Sequence, residues 1–596
     1  MPSARPRHAT RWSTPLLLVL LAACGGGGGG GSNSSSGDSS QGGSTTPPSP
    51  PPAVGTLLNS ASCELKFYAR EATTPRVGTD PRQHRLWHLN NTASFAGAVA
   101  GEDLRLGSVR AADGKGQGIR VAVIDDALDI THEDLMPNVV SGSFNYNVKA
   151  DWKRGSAYPL PCLRTSSHGT EVGGVIAARD GNAVGVAGVA PRASLVGLNA
   201  LSGGEDRDVL DALTRDLSLN HVFNNSWGAD DIGHFADPTP SPDIYKAAID
   251  SGLRNGRDGL GSIYVFAAGN GAHQSDYSVY DGNVSLYGTI PVCSFNAAGK
   301  RAFYSEPGPN LLVCGPSGDV GPGGTNSKLP AIDTTEPQNT YADNSFNGTS
   351  AAAPMVSGVA ALILQANPRL SWRDMRLVLA QSARKVDPTD AGWTTFGSYH
   401  FNHKYGFGAV DTDAAVRLAR SWSSVGGSNT VKTCGPYTAT VDQPIPENNL
   451  MTIDQAYLDT MYDTLTLDKP VSGGLSSKIT IPADCAITHI EHVEVKMTVT
   501  NASGTAEHPD SGHLQTTLTS PSNQTSTLTV PHLCQNPQTD GLAACTGLVN
   551  FNFGINRHLD EPAATNALRD WTLDVVDRIA QKSGKLKSWS ITLHGR

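Results

Sequence analysis

Four short segments carry the side-chain types that together can break an acyl bond: a carboxylate, an imidazole, a hydroxyl and an amide. Asp125 ends the apolar run Val121-Ala122-Val123-Ile124. A carboxylate at the C-terminal edge of a strand opens onto the crevice where α/β sheets bind ligands, and there it would hold an imidazole tautomer and stabilise the imidazolium. His168 lies in Ser167-His168-Gly169-Thr170, ahead of a small-residue run to Ala178 suited to a tightly packed helix, and would serve as general acid and base. Ser350 precedes the apolar helix pattern Met355 to Leu364, so it feels the positive end of the helix dipole and nearby free N–H groups. Asn270, between Gly269 and Gly271, offers the amide donor that a tetrahedral oxyanion needs. Taken singly, each has an ordinary alternative: a hydrogen-bonded structural histidine, an N-capping serine, a turn asparagine.

The elements that would position these residues are legible as a series. Ile119 to Ile124, Ser194 to Leu198, His221 to Asn224 and Ser262 to Ala267 are short apolar runs alternating with helical patterns, which predicts buried parallel strands in an α/β layer from about Asp80 to Trp422. After Gly426 the texture changes. Val493, Val495, Met497 and Val499 alternate with Glu494, Lys496 and Thr498, and Leu514 to Leu518 and Trp589 to Leu593 look similar. That is the half-buried strand period, and it predicts an all-β sandwich closing the chain.

The chain has 596 residues and a formal net charge of −10, too long for one typical domain and too acidic for a nucleic-acid surface. Arg5, Arg7 and Arg11 precede the apolar run Leu16 to Ala23, which is too short to span a bilayer and predicts an export signal. The run ends in Leu21-Ala22-Ala23-Cys24, which resembles the lipobox of bacterial lipoproteins and implies lipidation at Cys24. Residues 25–54 are rich in Gly, Ser and Pro and predict a flexible tether. Gly25 follows Cys24 where, by the same resemblance, Asp would retain a lipoprotein at the inner membrane, so the resemblance implies the outer membrane or cell surface. Eight further cysteines, an even number in an exported chain, favour disulfides over metal ligation, with nearest-neighbour pairing only a guess.

Gly116 to Asp126, His168-Gly169-Thr170, Asn270 between its glycines, and Gly348-Thr349-Ser350-Ala351-Ala352-Ala353-Pro354 together resemble the subtilisin-like serine peptidases. Asn225-Ser226-Trp227-Gly228, Gly259 to Phe266, Tyr304-Ser305-Glu306 and Ser371 to Met375 narrow the resemblance to the kexin and furin branch. Leu514 to Pro521, Trp571 to Asp577 and Gly584 to Trp589 look like the P domain of those enzymes. The implied fold is a subtilisin-like parallel sheet flanked by helices, followed by a jelly-roll sandwich. The implied organisation is signal 1–24, tether 25–54, catalytic domain 55–425 and P domain 430–596.

The resemblance implies Asp125, His168 and Ser350 as a triad with Asn270 at the oxyanion, and Ser226, Trp227 and Gly228 along the substrate. It puts Asp231 and Asp281 at the pocket for the residue before the cut bond; two carboxylates there imply Arg or Lys selectivity. Asp126 is implied to face the next residue upstream, with Asp211 and Asp237 further out. Calcium is implied twice, at Asp231, Asp276 and Glu306, and at Asp80, Asp134 and Asn182. Only Gly55 to Gly78 separates tether from catalytic domain, too little for the family's inhibitory prodomain, so a separate folding chaperone is expected. Ala127 replaces the family's Gly, and the Cys expected near Gly173 is missing. Two rivals remain: a catalytically silent binding protein on the same scaffold, and a broad peptidase whose pocket acids serve only calcium.

Overall fold

The computed structural model describes residues 52–596 apart from 71–75, 148–154, 204, 321–327, 455–456, 458–466, 537–538, 540, 565–568 and 581. The signal, Cys24 and all but the end of the tether lie outside these residues.

The apolar runs form a seven-stranded sheet of β1 (Arg120–Asp125), β2 (Phe144–Asn145), β3 (Ser194–Asn199), β4 (Val222–Asn225), β5 (Ile263–Ala267), β6 (Thr289–Phe295) and β7 (Val313–Pro316). Its order is β2-β3-β1-β4-β5-β6-β7, with every pairing parallel. Six of the seven strands are buried along nearly their whole length, as strands covered by helices on both faces must be. The predicted strands are observed with bounds shifted by one residue at most ends.

The helices are α1 (Gly107–Ala111), α2 (His168–Ala177), α3 (Asp206–Thr214), α4 (Pro242–Asn255), α5 (Thr349–Ala366), α6 (Trp372–Ser382) and α7 (Thr412–Arg420). Nearly every residue of α5 from Ala351 to Leu364 is buried. Its composition would suit a membrane span, yet it is the core helix on which strands β4 to β7 and helix α2 pack. An apolar stripe all round is explained by burial on all sides.

The C-terminal region is two four-stranded antiparallel sheets. One comprises Lys432–Pro444, Gly584–Gly595, Ile490–Asn501 and Val549–Ile555; the other Leu475–Thr480, Asp570–Asp577, Leu514–Thr519 and Thr525–Thr529. Val493, Val495, Met497 and Val499 all point inward with Trp571, Trp589 and Phe551, as their alternation requires. The same core takes in Phe235, Tyr277 and Tyr280 from the parallel-sheet region, so the two regions share buried apolar surface. A fully buried pair, Arg373 on α6 and Glu491 at 2.6 Å, crosses the same boundary.

All eight described cysteines are paired between sequence neighbours: Cys63–Cys162, Cys293–Cys314, Cys434–Cys485 and Cys534–Cys545. His532 lies beside the last pair, but its sulfur neighbours are bonded to each other and are not free to ligate a metal.

Candidate active site

The C-terminal end of β1 delivers Asp125, which is 1% exposed, to the first residue of α2. Asp125 Oδ1 accepts the His168 Nδ1–H at 2.9 Å. Burial lowers the imidazole's proton affinity, but the charge and hydrogen bond of Asp125, with Asp126 and Glu171 behind, outweigh it and raise His168 to about 9. Phe346 meets the imidazole edge to face at 5.7 Å.

Ser350 stands in the first turn of α5, partly exposed. Its hydroxyl donates to the Ser226 carbonyl at 3.1 Å. Asn270 follows β5. Its carbonyl oxygen accepts the Thr349 N–H at 2.7 Å and the Thr349 hydroxyl at 2.9 Å, so the side chain has only N–H donors left to offer the cleft. Thr349 was not singled out from the sequence, although it adjoins Ser350.

Along the substrate side, Trp227 donates its indole N–H to the Ile124 carbonyl at 3.0 Å, pinning the segment beside β1. Gly228 is exposed, and a Cβ there would lie 2.5 Å from Asp281 Oδ2, so only glycine permits this approach. Asp281 also accepts Ala229 N–H at 2.8 Å and Asn283 N–H at 2.7 Å; burial nevertheless raises its carboxyl to about 6. Asp237 is exposed and adjoins Ala236, which bridges Asp281.

Two of the expected substrate contacts have partners within the chain. Asp126 is 8% exposed, gives Oδ1 to the Gly169 N–H at 2.9 Å and buries Oδ2, so its carboxylate supports the start of α2 and is not presented at the surface. Burial, then the Asp125 charge, raises it to about 7. Asp211 on α3, its side chain about half exposed, accepts the Tyr146 hydroxyl at 2.5 Å and the Arg215 guanidinium at 2.6 Å. The Asp211–Arg215 pair has the i,i+4 spacing of a helix, whereas the Gly169 N–H and the Tyr146 hydroxyl come from elements distant in sequence.

Asp231, Asp276 and Glu306 converge, with one oxygen of each within 4.8 Å of the others. Burial and mutual repulsion raise all three carboxyls, Asp276 to about 8. A Cβ on Gly271 would fall 2.6 Å from the Asp276 Cβ and 2.9 Å from that of Asp231, so a glycine lets the backbone close over the cluster. Several buried oxygens with too few protons or cations between them fit a hard divalent cation. Asp80, Asp134 and Asn182 are also brought together: Asp80 accepts the Gly181 and Asn182 N–H groups at 2.8 and 3.0 Å, and Asn182 donates to Asp134 at 2.8 Å. Burial raises Asp134 to about 7.

Residues 116–408 match the Subtilase family model, and residues 490–593 match the Proprotein convertase P-domain. The chain is 32% identical over 527 residues to the dibasic-processing endoprotease of Schizosaccharomyces pombe, covering 87% of this chain and 65% of that protein. It is 29% identical over 524 residues to human proprotein convertase subtilisin/kexin type 7, covering 87% of this chain and 60% of the relative. The crystal structure of a serine protease of Aeromonas sobria superposes with a TM-score of 0.71 at 26% identity, covering 88% of this chain and 97% of that one. The same protease has been solved in complex with a chaperone, and that chain superposes with a TM-score of 0.70 at 25% identity. A subtilisin-fold domain matching the Subtilase family model, followed by a P-domain, is therefore the class that the fold and these likenesses define. The chain is a homologue of the kexin- and furin-like proprotein convertases and spans less than two thirds of the length of these curated relatives.

Proposed function

We propose that this chain is a calcium-dependent serine endopeptidase that hydrolyses peptide bonds after Arg or Lys. The observation that carries the reading is the meeting of the Asp125–His168 hydrogen bond, the Ser350 hydroxyl and the amide end of Asn270 at one edge of the sheet. Ser350 Oγ attacks the substrate carbonyl carbon while His168 Nε2 takes its proton. Asn270 Nδ2 donates to the oxyanion, and the imidazolium, held by Asp125, passes the proton to the leaving amine. Water then repeats the sequence on the acyl-enzyme. The basic preference rests on Asp281 behind Gly228, with Asp231 in the same region.

Calcium suits the oxygen-only donors at Asp231, Asp276 and Glu306 and at Asp80, Asp134 and Asn182. There it would neutralise the clustered carboxylates and fix the loops that carry Asp281 and Asp80. A dedicated chaperone is proposed on the strength of the chaperone complex of the similar Aeromonas sobria protease. Within the division read from the sequence, signal, tether, catalytic domain and P domain in turn, the lipid anchor at Cys24 would hold the enzyme on the cell envelope. Cys24→Ser should then move it from membranes to the soluble fraction, and an unchanged membrane fraction would overturn the anchor.

The test of the chemistry is labelling with a fluorophosphonate. The purified protein should be modified at Ser350 and Ser350→Ala should not; labelling equal in both would overturn the assignment.

A further inference from the structure

Beneath Ser350, a line of buried hydrogen bonds ends on the nucleophile's own main chain. Helix α5 contains Pro354, four residues beyond Ser350. Proline has no N–H, so the Ser350 carbonyl is denied the donor that an α-helix would ordinarily supply. The Ser226 hydroxyl, from the loop after β4, donates to that carbonyl at 3.0 Å. Because its one hydrogen is spent there, Ser226 Oγ must act as acceptor towards Asn224 Nδ2, 3.0 Å away. That fixes the amide's orientation and turns Asn224 Oδ1 to the Ser357 hydroxyl at 2.8 Å. Ser357 lies seven residues on from Ser350, two turns along the same helix face. Asn224 and Ser357 are 0% exposed and Ser226 3%, so unmade bonds here could not be replaced by bulk water.

We propose that Asn224, Ser226 and Ser357 are positioning residues that clamp the start of α5 to the end of β4 and so set where Ser350 stands. The substituted bond at the Pro354 position is the core of the device. It leaves Ser226's carbonyl facing Ser350 Oγ, which is the resting partner of the nucleophile. The proposal rests on the reading of Ser350 as nucleophile, and it can fail separately.

The experiment is a double-mutant cycle of Ser226→Ala and Pro354→Ala in the full chain, with calcium present. It is read by kcat and KM on an Arg peptide, by the rate of fluorophosphonate labelling, and by melting temperature. Ser226→Ala should lower kcat and the labelling rate by about tenfold to a hundredfold, the scale of a small misplacement of a reacting atom, with KM little changed. Pro354→Ala restores a helical N–H to the Ser350 carbonyl, so the double variant should recover most of the lost rate and most of the lost melting temperature. If Ser226→Ala does not fold, Ser357→Ala removes the far end of the line and should lower kcat in the same direction, without a change in KM. An unaltered kcat in the folded variant, or a loss of the same size with Ala at 354, would overturn the proposal. Absence of label at Ser350 in the wild-type chain would overturn the nucleophile reading instead, and the melting-temperature cycle would still decide whether Ser226 replaces the missing N–H.

Discussion

Asn270 and Thr349 are joined twice, through the Thr349 N–H at 2.7 Å and its hydroxyl at 2.9 Å, both ending on the Asn270 carbonyl oxygen. The residue before the proposed nucleophile thus orients the amide proposed to serve the oxyanion. Asn270→Ala should lower kcat by roughly 10² to 10³ with little change in KM, because the donor acts on charge that develops in the transition state. Thr349→Val keeps the shape and one of the two bonds, so its loss in kcat should be smaller. Steady-state kinetics on one peptide decide it; a change confined to KM would remove Asn270 from the oxyanion.

The approach of Gly228 to Asp281 predicts substrate charge selectivity. Asp281→Asn keeps the shape and removes the charge, and a desolvated cation left without its partner costs on the order of 3 kcal/mol. The kcat/KM for Arg peptides should fall by about 10², while peptides with a neutral residue at that position change little. Since burial raises Asp281 to about 6, the Arg preference of the wild type should fade as pH drops through that value. Equal losses on both peptide types would place Asp281 outside the pocket.

Calcium and protons should compete at Asp231, Asp276 and Glu306. Their carboxyls are raised in the folded state, so without metal the protonated cluster contributes stability below about pH 4, the ordinary carboxylate value. That contribution is lost as pH rises through about 8 for Asp276. A cation replaces those protons and adds about 2.7 kcal/mol at a hundredfold excess over its dissociation constant. The gap in melting temperature between calcium and chelator should therefore widen from pH 5 to pH 8. A gap that is absent, or that narrows with pH, would remove the metal from this cluster.

His168 is raised to about 9 by charges that outweigh its burial, and only its neutral form can take the serine's proton. Activity should rise with pH, its midpoint lying above the ordinary imidazole value of about 6.5. Glu171 contributes to the rise, so Glu171→Gln should move the midpoint down without lowering the plateau. A midpoint that stays in place would show that Glu171 does not reach the imidazole.

What the sequence made legible was local. The strand ending in Asp125 and the start of the helix at Ser350 were readable because runs of buried apolar residues and short glycine-flanked motifs fix their own backbone. What it concealed depends on distant partners. Asp126 reads as a second cleft acid, yet the Gly169 N–H holds it inside. Asp211 reads as a substrate contact, and nothing near it in sequence announces its hydrogen bond from Tyr146. Phe235 and Tyr280 carry no signal that they belong to the core of the C-terminal sandwich. Asn224 and Ser357 are 133 residues apart, and nothing in either segment announces the other.

The most direct measurement is the map of bonds cut in a proteome-derived peptide library by the wild-type chain in calcium, with Ser350→Ala as the background. New termini should lie almost wholly after Arg and Lys and be absent from the variant. Cuts without charge preference would contradict the pocket assignment, and cuts that persist in Ser350→Ala would contradict the mechanism.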